Sequence, residues 1–129
     1  MAGKISREEA ISLVNNVALG LAQLDIVGGV ALRELGLSEL PRYLASFYAW
    51  GRGLSHEVPE PIPKGLVERA KEILKKKLEE KLAELKEREG ELRESGYNDR
   101  EIRLLESRYK EGYEVAVAAL DKLSQTLLG

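Results

Sequence analysis

The chain has 129 residues, which is enough for one domain with a hydrophobic core of its own. Its 20 basic residues nearly balance 22 acidic ones, so no overall field draws it to nucleic acid or to an anionic membrane, and any polyanion binding must be local. The lack of cysteine excludes disulfides, thiolate metal sites and cysteine nucleophiles.

The charged residues are mostly Glu, Lys and Arg, while Met, Asn and Gln are few. This balance favours a protein from a hot environment. The alternative is that a charged helical protein prefers these three residue types for their helix propensity alone.

The N-terminal segment predicts an amphipathic helix with a defined start. Ser6 and Glu9 have the spacing of a capping box, and apolar residues then recur at helical intervals as far as about Val27. Because two consecutive glycines cost a helix about 2 kcal/mol relative to alanines, we expect Gly28-Gly29 to end it. Residues 30–35 predict a further short helix, closed by Gly36. This segment has acidic residues at its start and polar residues within its apolar run. We therefore expect neither a signal peptide nor a membrane span.

The next helix carries four of the seven aromatic residues of the chain, in the stretch RYLASFYAWGRG from Arg42 to Gly53. Ser38 can cap it, and Pro41 is tolerated in its first turn. We expect the aromatic side to be core rather than a ligand platform. The opposite side, formed by Arg42, Ala45, Ala49 and Arg52, is either a solvated surface or a place where a phosphate backbone approaches closely.

Three prolines, Pro59, Pro61 and Pro63, forbid helix and predict a stiff, extended connector. They mark the one clear boundary in the chain. The sequence therefore predicts a single domain, 1–129, with an apolar N-terminal helical arm at 1–57, a proline-rich connector at 58–63 and a helical hairpin at 64–129.

Behind the connector, apolar stripes predict two long antiparallel helices, residues 64–94 and 99–128, and Asn98 with Glu101 has the spacing to cap the second. The predicted fold is thus all-α, a helix bundle. An arm of about 30 residues is about 45 Å long, whereas a compact domain of this size is about 36 Å across. The tip of the hairpin must therefore protrude or be covered by a neighbouring molecule. The N-terminal arm is the expected cover for the apolar base of the hairpin.

Three polar features allow more than one interpretation. The lysines Lys71, Lys75–Lys77 and Lys81 form the densest basic patch, which is either a salt-bridged solvent face or a polyanion contact. His56 has no partner at metal-ligand spacing and is interpreted as a loop residue. Asp25, on an otherwise apolar segment, either caps the chain near Gly28 or pairs with an arginine of another chain.

No catalytic, phosphate-binding or metal-binding motif occurs in the sequence, so we expect no enzyme activity, no cofactor, no metal and no small-molecule substrate. Two classes of function remain. One is a structural subunit of a larger assembly, a class that includes the coats of nucleic acids. The other is a helical scaffold or adaptor that docks protein partners through the hairpin.

The apolar arm ISREEAISLVNNVALGLAQLDIVGG, the proline break VPEPIPKG and the helical part behind it together resemble the all-helical major capsid proteins of filamentous viruses of hyperthermophilic archaea. The resemblance covers the whole chain loosely and involves no diagnostic motif. It implies a subunit that coats linear double-stranded DNA independently of sequence, paired with itself or with a paralogous chain. It also implies localisation in the virion after assembly in the host cytoplasm; without it, a cytoplasmic protein is expected. The net negative charge departs from the simplest form of such a role.

For this function the predicted DNA contacts are basic residues of the N-terminal arm and of the start of the hairpin. They are Arg33, Arg42, Arg52, Lys64, Arg69, Lys75, Lys76 and Lys77. The hairpin tip is excluded, because residues 79–94 contain seven acidic against four basic residues and would repel a polyanion.

Overall fold

A computed structural model describes residues 5–125, and over these residues the protein is all-α, with six helices and no strand. The helices are α1 (Arg7–Gln23), α2 (Gly28–Glu34), α3 (Leu40–Gly51), α4 (Lys64–Glu87), α5 (Glu89–Glu94) and α6 (Asp99–Gln125). The all-α prediction is therefore confirmed. The predicted continuation of the last helix to residue 128 lies outside the described residues.

Both predicted capping boxes define helix starts, but only the second forms both of its reciprocal hydrogen bonds. The Glu9 amide donates to Ser6 Oγ at 3.0 Å at the start of α1. Before α6, the Glu101 amide donates to Asn98 Oδ1 at 2.9 Å, and the Asn98 amide donates to a Glu101 carboxylate oxygen at 3.2 Å. Each bond satisfies an amide that has no partner inside its helix.

The end of α1 differs from the prediction. The helix stops at Gln23, and Asp25 follows in the left-handed region at φ 62°. The Ile26 amide donates to the Leu21 carbonyl and the Asp25 amide to that of Ala22, which are the two bonds of a Schellman motif. Burial of Ile26 favours this stop, and Gly28, expected to break a helix, instead begins α2.

The first arm of the hairpin was predicted as one helix over residues 64–94, but the structure divides it into two helices. It is interrupted at Arg88, which lies between α4 and α5 with φ −92° and ψ 0°. Gly90, two residues further on, costs a helix about 1 kcal/mol relative to alanine. No buried contact compensates for this cost, because α5 contains no buried residue.

The core forms where α1 crosses α6, with α3 on the other side of α1 and α4 beside α6. Small residues let α1 and α6 approach closely: a Cβ on Gly112 would lie only 2.9 Å from the Gly20 carbonyl oxygen. Helix α1 of the arm thus covers the base of the hairpin, as expected, and α3 packs on α1. Phe47, Leu74 and Leu120 are fully buried between these helices.

The connector is fixed to the hairpin rather than free. The Ile62 amide donates to the Leu123 carbonyl at 3.1 Å, and the Ile62 side chain is buried. Pro59 is buried as well, and Pro63 has the extended angles φ −57° and ψ 139°. The three fixed proline angles therefore lead the chain directly to the first turn of α4.

The hairpin tip protrudes from this core. Ile102 is the one buried residue from Lys86 to Glu111. Closer to the core, Asp25 forms an ion pair with Lys81 of α4 at 2.8 Å. Within the chain, the partner of Asp25 is thus a lysine of the hairpin, and Asp25 does not cap α2, whose start has no side-chain cap.

No single helix of the described residues is long and apolar enough to cross a membrane. Helices α1 and α2 together meet that length and composition, but only as a pair bent by 72°. In the fold, α1 buries its apolar side against α6 and α3.

Candidate nucleic-acid interface

The aromatic side of α3 is mostly core, as predicted. Phe47 and Trp50 are buried, and Tyr43 is partly buried at the edge of the core. Tyr48 departs from the prediction, because 38% of it is exposed. The guanidinium of Arg7 lies 4.9 Å from the centre of the Trp50 ring and donates to the Trp50 carbonyl, which anchors the start of α1 to α3.

The opposite side of α3 lines an open groove of about 590 Å³. One wall consists of Arg42, Ala45, Ser46 and Ala49, whose short side chains leave the helix backbone accessible. The other wall is formed by the end of the N-terminal arm, with Ser55 and Glu57, and by the start of the connector, with Val58, Pro59 and Glu60. The two predicted alanines thus leave room for a ligand, but two carboxylates lie across from Arg42.

Arg42 and Arg52 are both exposed and both stack on tyrosines of α3. The Arg42 guanidinium lies 4.9 Å from the Tyr43 ring centre and donates to Tyr43 Oη at 3.2 Å. Arg52 lies 5.9 Å from the Tyr48 ring centre, outside the groove lining. Stacking restricts each side chain while leaving N–H groups free for a phosphate. The two arginines, ten residues apart, are separated by about 15 Å along the helix.

The other predicted contacts are distributed over α2 and α4. Arg33 lies on α2, and Lys64 begins α4; both are exposed. Arg69 pairs with Glu39 at 3.7 Å, which ties α4 to the residue before α3. None of these residues lines the groove beside α3, so the structure does not gather the predicted set into one pocket.

The lysine patch on α4 is partly neutralised within the chain. Lys77 lies 3.9 Å from Glu80, and Lys71 lies 2.7 Å from Asp121 of α6. Hydrogen bonds to Asp121 and Asp25 raise the pKa of Lys71 and Lys81, respectively, above the usual value. The salt-bridged interpretation therefore holds for these three lysines, while Lys75 and Lys76 are exposed on the same helix.

Six of the eight predicted contacts have no carboxylate within 4.0 Å among residues 5–125. These are Arg33, Arg42, Arg52, Lys64, Lys75 and Lys76. Unpaired exposed cations can each take a phosphate oxygen without first breaking an intrachain pair. Their spread over three helices suits contact with an extended polyanion better than capture of a single small anion.

A second surface was not predicted. The end of α1, all of α2 and the start of α3 surround an apolar groove of about 350 Å³, lined by residues that include Leu21, Ile26, Leu32 and Leu44. At its rim, Val27 is 73% exposed, and Val30 beyond it is 59% exposed. In the sequence, this surface could have been found from the absence of charged residues between residues 26 and 32, in a chain in which 33% of the residues are charged.

Among residues 5–125 no group of three His, Cys, Asp or Glu side chains could hold a metal ion. Comparison of the chain with models of protein families, with curated proteins and with solved structures found no match.

Proposed function

We propose that the protein is a non-enzymatic structural subunit of a helical assembly that packages double-stranded DNA, as the capsid protein of a filamentous virus does. The observation that carries the proposal is the apolar surface around α2. Val27 and Val30 are largely exposed beside an apolar groove. A contiguous apolar surface of this kind is a common mark of protein association. Copies of this chain, or a like chain, would cover it.

The DNA part of the proposal is supported by the exposed cations without carboxylate partners. Arg42 and Arg52 lie on the same helix, held by stacking on their tyrosines. Few contacts per subunit give weak binding, but a repeated array raises the effective concentration of the next contact. Binding is therefore expected to be cooperative, indifferent to base sequence and weakened by salt.

The test is co-assembly with duplex DNA over a salt series, viewed by electron microscopy. Wild type should form filaments that require DNA, and Arg42→Ala/Arg52→Ala should form fewer or none. Removing two phosphate contacts should also lower the slope of log affinity against log salt by about 2 per subunit.

A matched control removes two exposed cations outside the predicted set. Lys86→Ala/Lys122→Ala changes the net charge by the same amount, and both lysines are exposed. This variant should assemble as wild type does. Equal loss in both variants would mean that net charge alone matters. Filaments or monomers indifferent to DNA at low salt would exclude the coat function.

One observation favours the second candidate, a scaffold or adaptor that binds protein. Glu57 and Glu60 line the groove across from Arg42. A wall that carries both signs of charge suits a polypeptide better than a polyanion. In that case the Arg42→Ala variant should lose a protein partner while its weak DNA binding stays unchanged.

A further inference from the structure

The outward side of α6 at the hairpin tip carries three exposed arginines, Arg100, Arg103 and Arg108, here called the arginine row. The acids nearest in sequence already have partners. Asp99 pairs with Arg93 at 2.6 Å, and Glu106 pairs with Lys110 at 2.8 Å.

Glu101 is engaged in the capping box at the start of α6. No carboxylate among residues 5–125 lies within 4.0 Å of any of the three arginines. The row therefore presents charge that the chain itself leaves uncompensated. Leu104, in the middle of the row, is 59% exposed and adds an apolar contact.

The other arm of the tip carries the opposite charge. Glu79, Glu87 and Glu94, here called the glutamate row, are exposed and have no cation within 4.0 Å among the residues that the structure describes. Neighbouring acids are neutralised locally, since Glu84 pairs with Lys81 and Glu91 with Arg88.

The two rows are opposite in sign, and the α4 part of the glutamate row matches the arginine row in length. Arg100 and Arg108 are eight residues apart on α6, as Glu79 and Glu87 are on α4, so each of these pairs spans about 12 Å; Glu94 extends the glutamate row onto α5. Within one chain the rows do not meet, because no arginine of the first pairs with a glutamate of the second. Each row is thus free to face another molecule.

We propose that the arginine row of one copy binds the glutamate row of a second copy. This inference rests on the proposed assembly and names one of its contacts. Used in one direction only, the contact is heterologous and its repetition gives a helical array, whereas reciprocal use of both rows by two copies closes a dimer. The contact also gives a function to the protruding tip, which lies outside the hydrophobic core.

A nucleic acid is the weaker candidate for the arginine row. Packed helices lie about 8–10 Å apart, which is no more than the Debye length of about 8 Å to 10 Å at moderate salt. A phosphate backbone bound along α6 would therefore be repelled by the glutamate row of α4 and α5. The exposed Leu104 also suits a protein surface better than a phosphate.

The test uses two charge-reversed variants of the full chain. One is Arg100→Glu/Arg103→Glu/Arg108→Glu, and the other is Glu79→Lys/Glu87→Lys/Glu94→Lys. Each variant alone has like charges on both rows, so self-association measured by light scattering at low salt should weaken about a hundredfold. An equimolar mixture restores opposite charges at every contact and should associate as wild type does.

Circular dichroism of each variant checks that the helices are retained. If three reversals disturb the fold, the uncharged set Arg100→Gln/Arg103→Gln/Arg108→Gln serves instead and should weaken association less but in the same direction. Failure of the mixture to recover, or unchanged association of either variant alone, overturns the inference. Loss of DNA binding in the arginine variant with unchanged self-association would assign the row to nucleic acid and also overturn it.

The outcomes separate this inference from the proposed function. Wild type that remains monomeric at high concentration, with and without DNA, contradicts the assembly itself. Wild type that associates while both variants do so equally well leaves the assembly standing and places its contacts elsewhere. The apolar surface around Val27 would then be the next contact to test.

Discussion

Gly20 of α1 lies against Gly112 of α6 with no room for a side chain on either residue. A Cβ on Gly112 would come within 2.6 Å of Gln23 Cβ, and one on Gly20 within 2.7 Å of Ala116 Cβ. We expect Gly20→Ala to separate the two helices and to lower the free energy of unfolding by about 2 kcal/mol, typical of overpacked cores. Chemical denaturation followed by circular dichroism measures this change.

The control for that substitution is Gly90→Ala. Gly90 is also helical, but a Cβ there would meet nothing within 4 Å. Its only effect should be the gain in helix propensity, about 0.5–1 kcal/mol in favour of the folded state. Equal effects of the two substitutions would contradict the close crossing.

Asp25 combines a strained backbone with an ion pair. Its φ is 62°, and it contacts Lys81, whose side chain is only 17% exposed. Asp25→Asn keeps a residue that tolerates this backbone but loses the charge, so it should destabilise by about 1 kcal/mol, given the partial exposure of the pair. Asp25→Gly loses the same charge but relieves the backbone, and should be more stable than Asp25→Asn by about 1 kcal/mol.

A double-mutant cycle with Lys81→Met isolates the pair itself. A coupling near zero between positions 25 and 81 would show that the contact contributes nothing to folding. The Lys71→Met variant serves as the comparison, because Lys71 also lies on α4 but pairs with Asp121 of α6 rather than with Asp25. It should show no coupling to Asp25.

The same pair predicts a dependence on alkaline pH. The hydrogen bond to Asp25 raises the pKa of Lys81 above its usual value of 10.5. A raised lysine pKa means that the stabilisation is fully present below the unfolded value and is lost as the pH rises through the folded value. The stability difference between wild type and Asp25→Asn should therefore stay constant at pH values well below 10.5 and shrink as the pH rises beyond that value. A difference that shrinks already near neutral pH would contradict this assignment.

The apolar surface around α2 should control association rather than folding. Val27 and Val30 are exposed, so Val27→Ser/Val30→Ser removes little buried area. We expect the melting temperature to change by only a few degrees and sedimentation to shift toward the monomer. Leu54→Ser is the control, because Leu54 is 79% exposed but lies outside this surface. A shift as large in the control would mean that general hydrophobicity drives association.

Within the connector, we expect the backbone amide of Ile62 to be held in place by its hydrogen bond. Among the three non-proline residues of the connector, Ile62 donates to the Leu123 carbonyl, whereas the amides of Val58 and Glu60 donate to no backbone carbonyl of residues 5–125. Hydrogen exchange followed by NMR should find the Ile62 amide protected and those of Val58 and Glu60 exchanging rapidly. Rapid exchange at Ile62 would indicate a loose tether between arm and hairpin.

Local signals in the sequence predicted the starts of α1 and α6, whereas Ser38, expected to cap α3, does not: α3 begins after Glu39 without a side-chain cap. Ser6 with Glu9, and Asn98 with Glu101, form their capping bonds with residues three positions away, so no knowledge of the fold was needed. The all-α class followed from the same short-range periodicity. The helix ends were harder, because Gly28 was expected to stop α1 and instead starts α2.

Long-range partners explain the remaining differences. Helix α1 ends at Gln23, four residues before the predicted end, and Asp25 just behind it pairs with Lys81, 56 positions further along the chain. Similarly, the α3 face with Arg42 was predicted, but the acidic wall across from it comes from Glu57 and Glu60, before and within the connector. A single sequence does not indicate which distant segment lies opposite a given helix face, so both features became visible only in the fold.

The crossing of α1 and α6 also sets an order of events during synthesis. Helix α1 finds its main partner only after the ribosome has made α6, about ninety residues later, which takes roughly 5–20 s at ordinary elongation rates. During that interval the apolar side of α1, with Leu13, Val17 and Leu21, has no final cover. The nascent chain is thus exposed to premature contacts between neighbouring copies, and a chaperone that binds short apolar helices would improve the yield of correctly paired subunits.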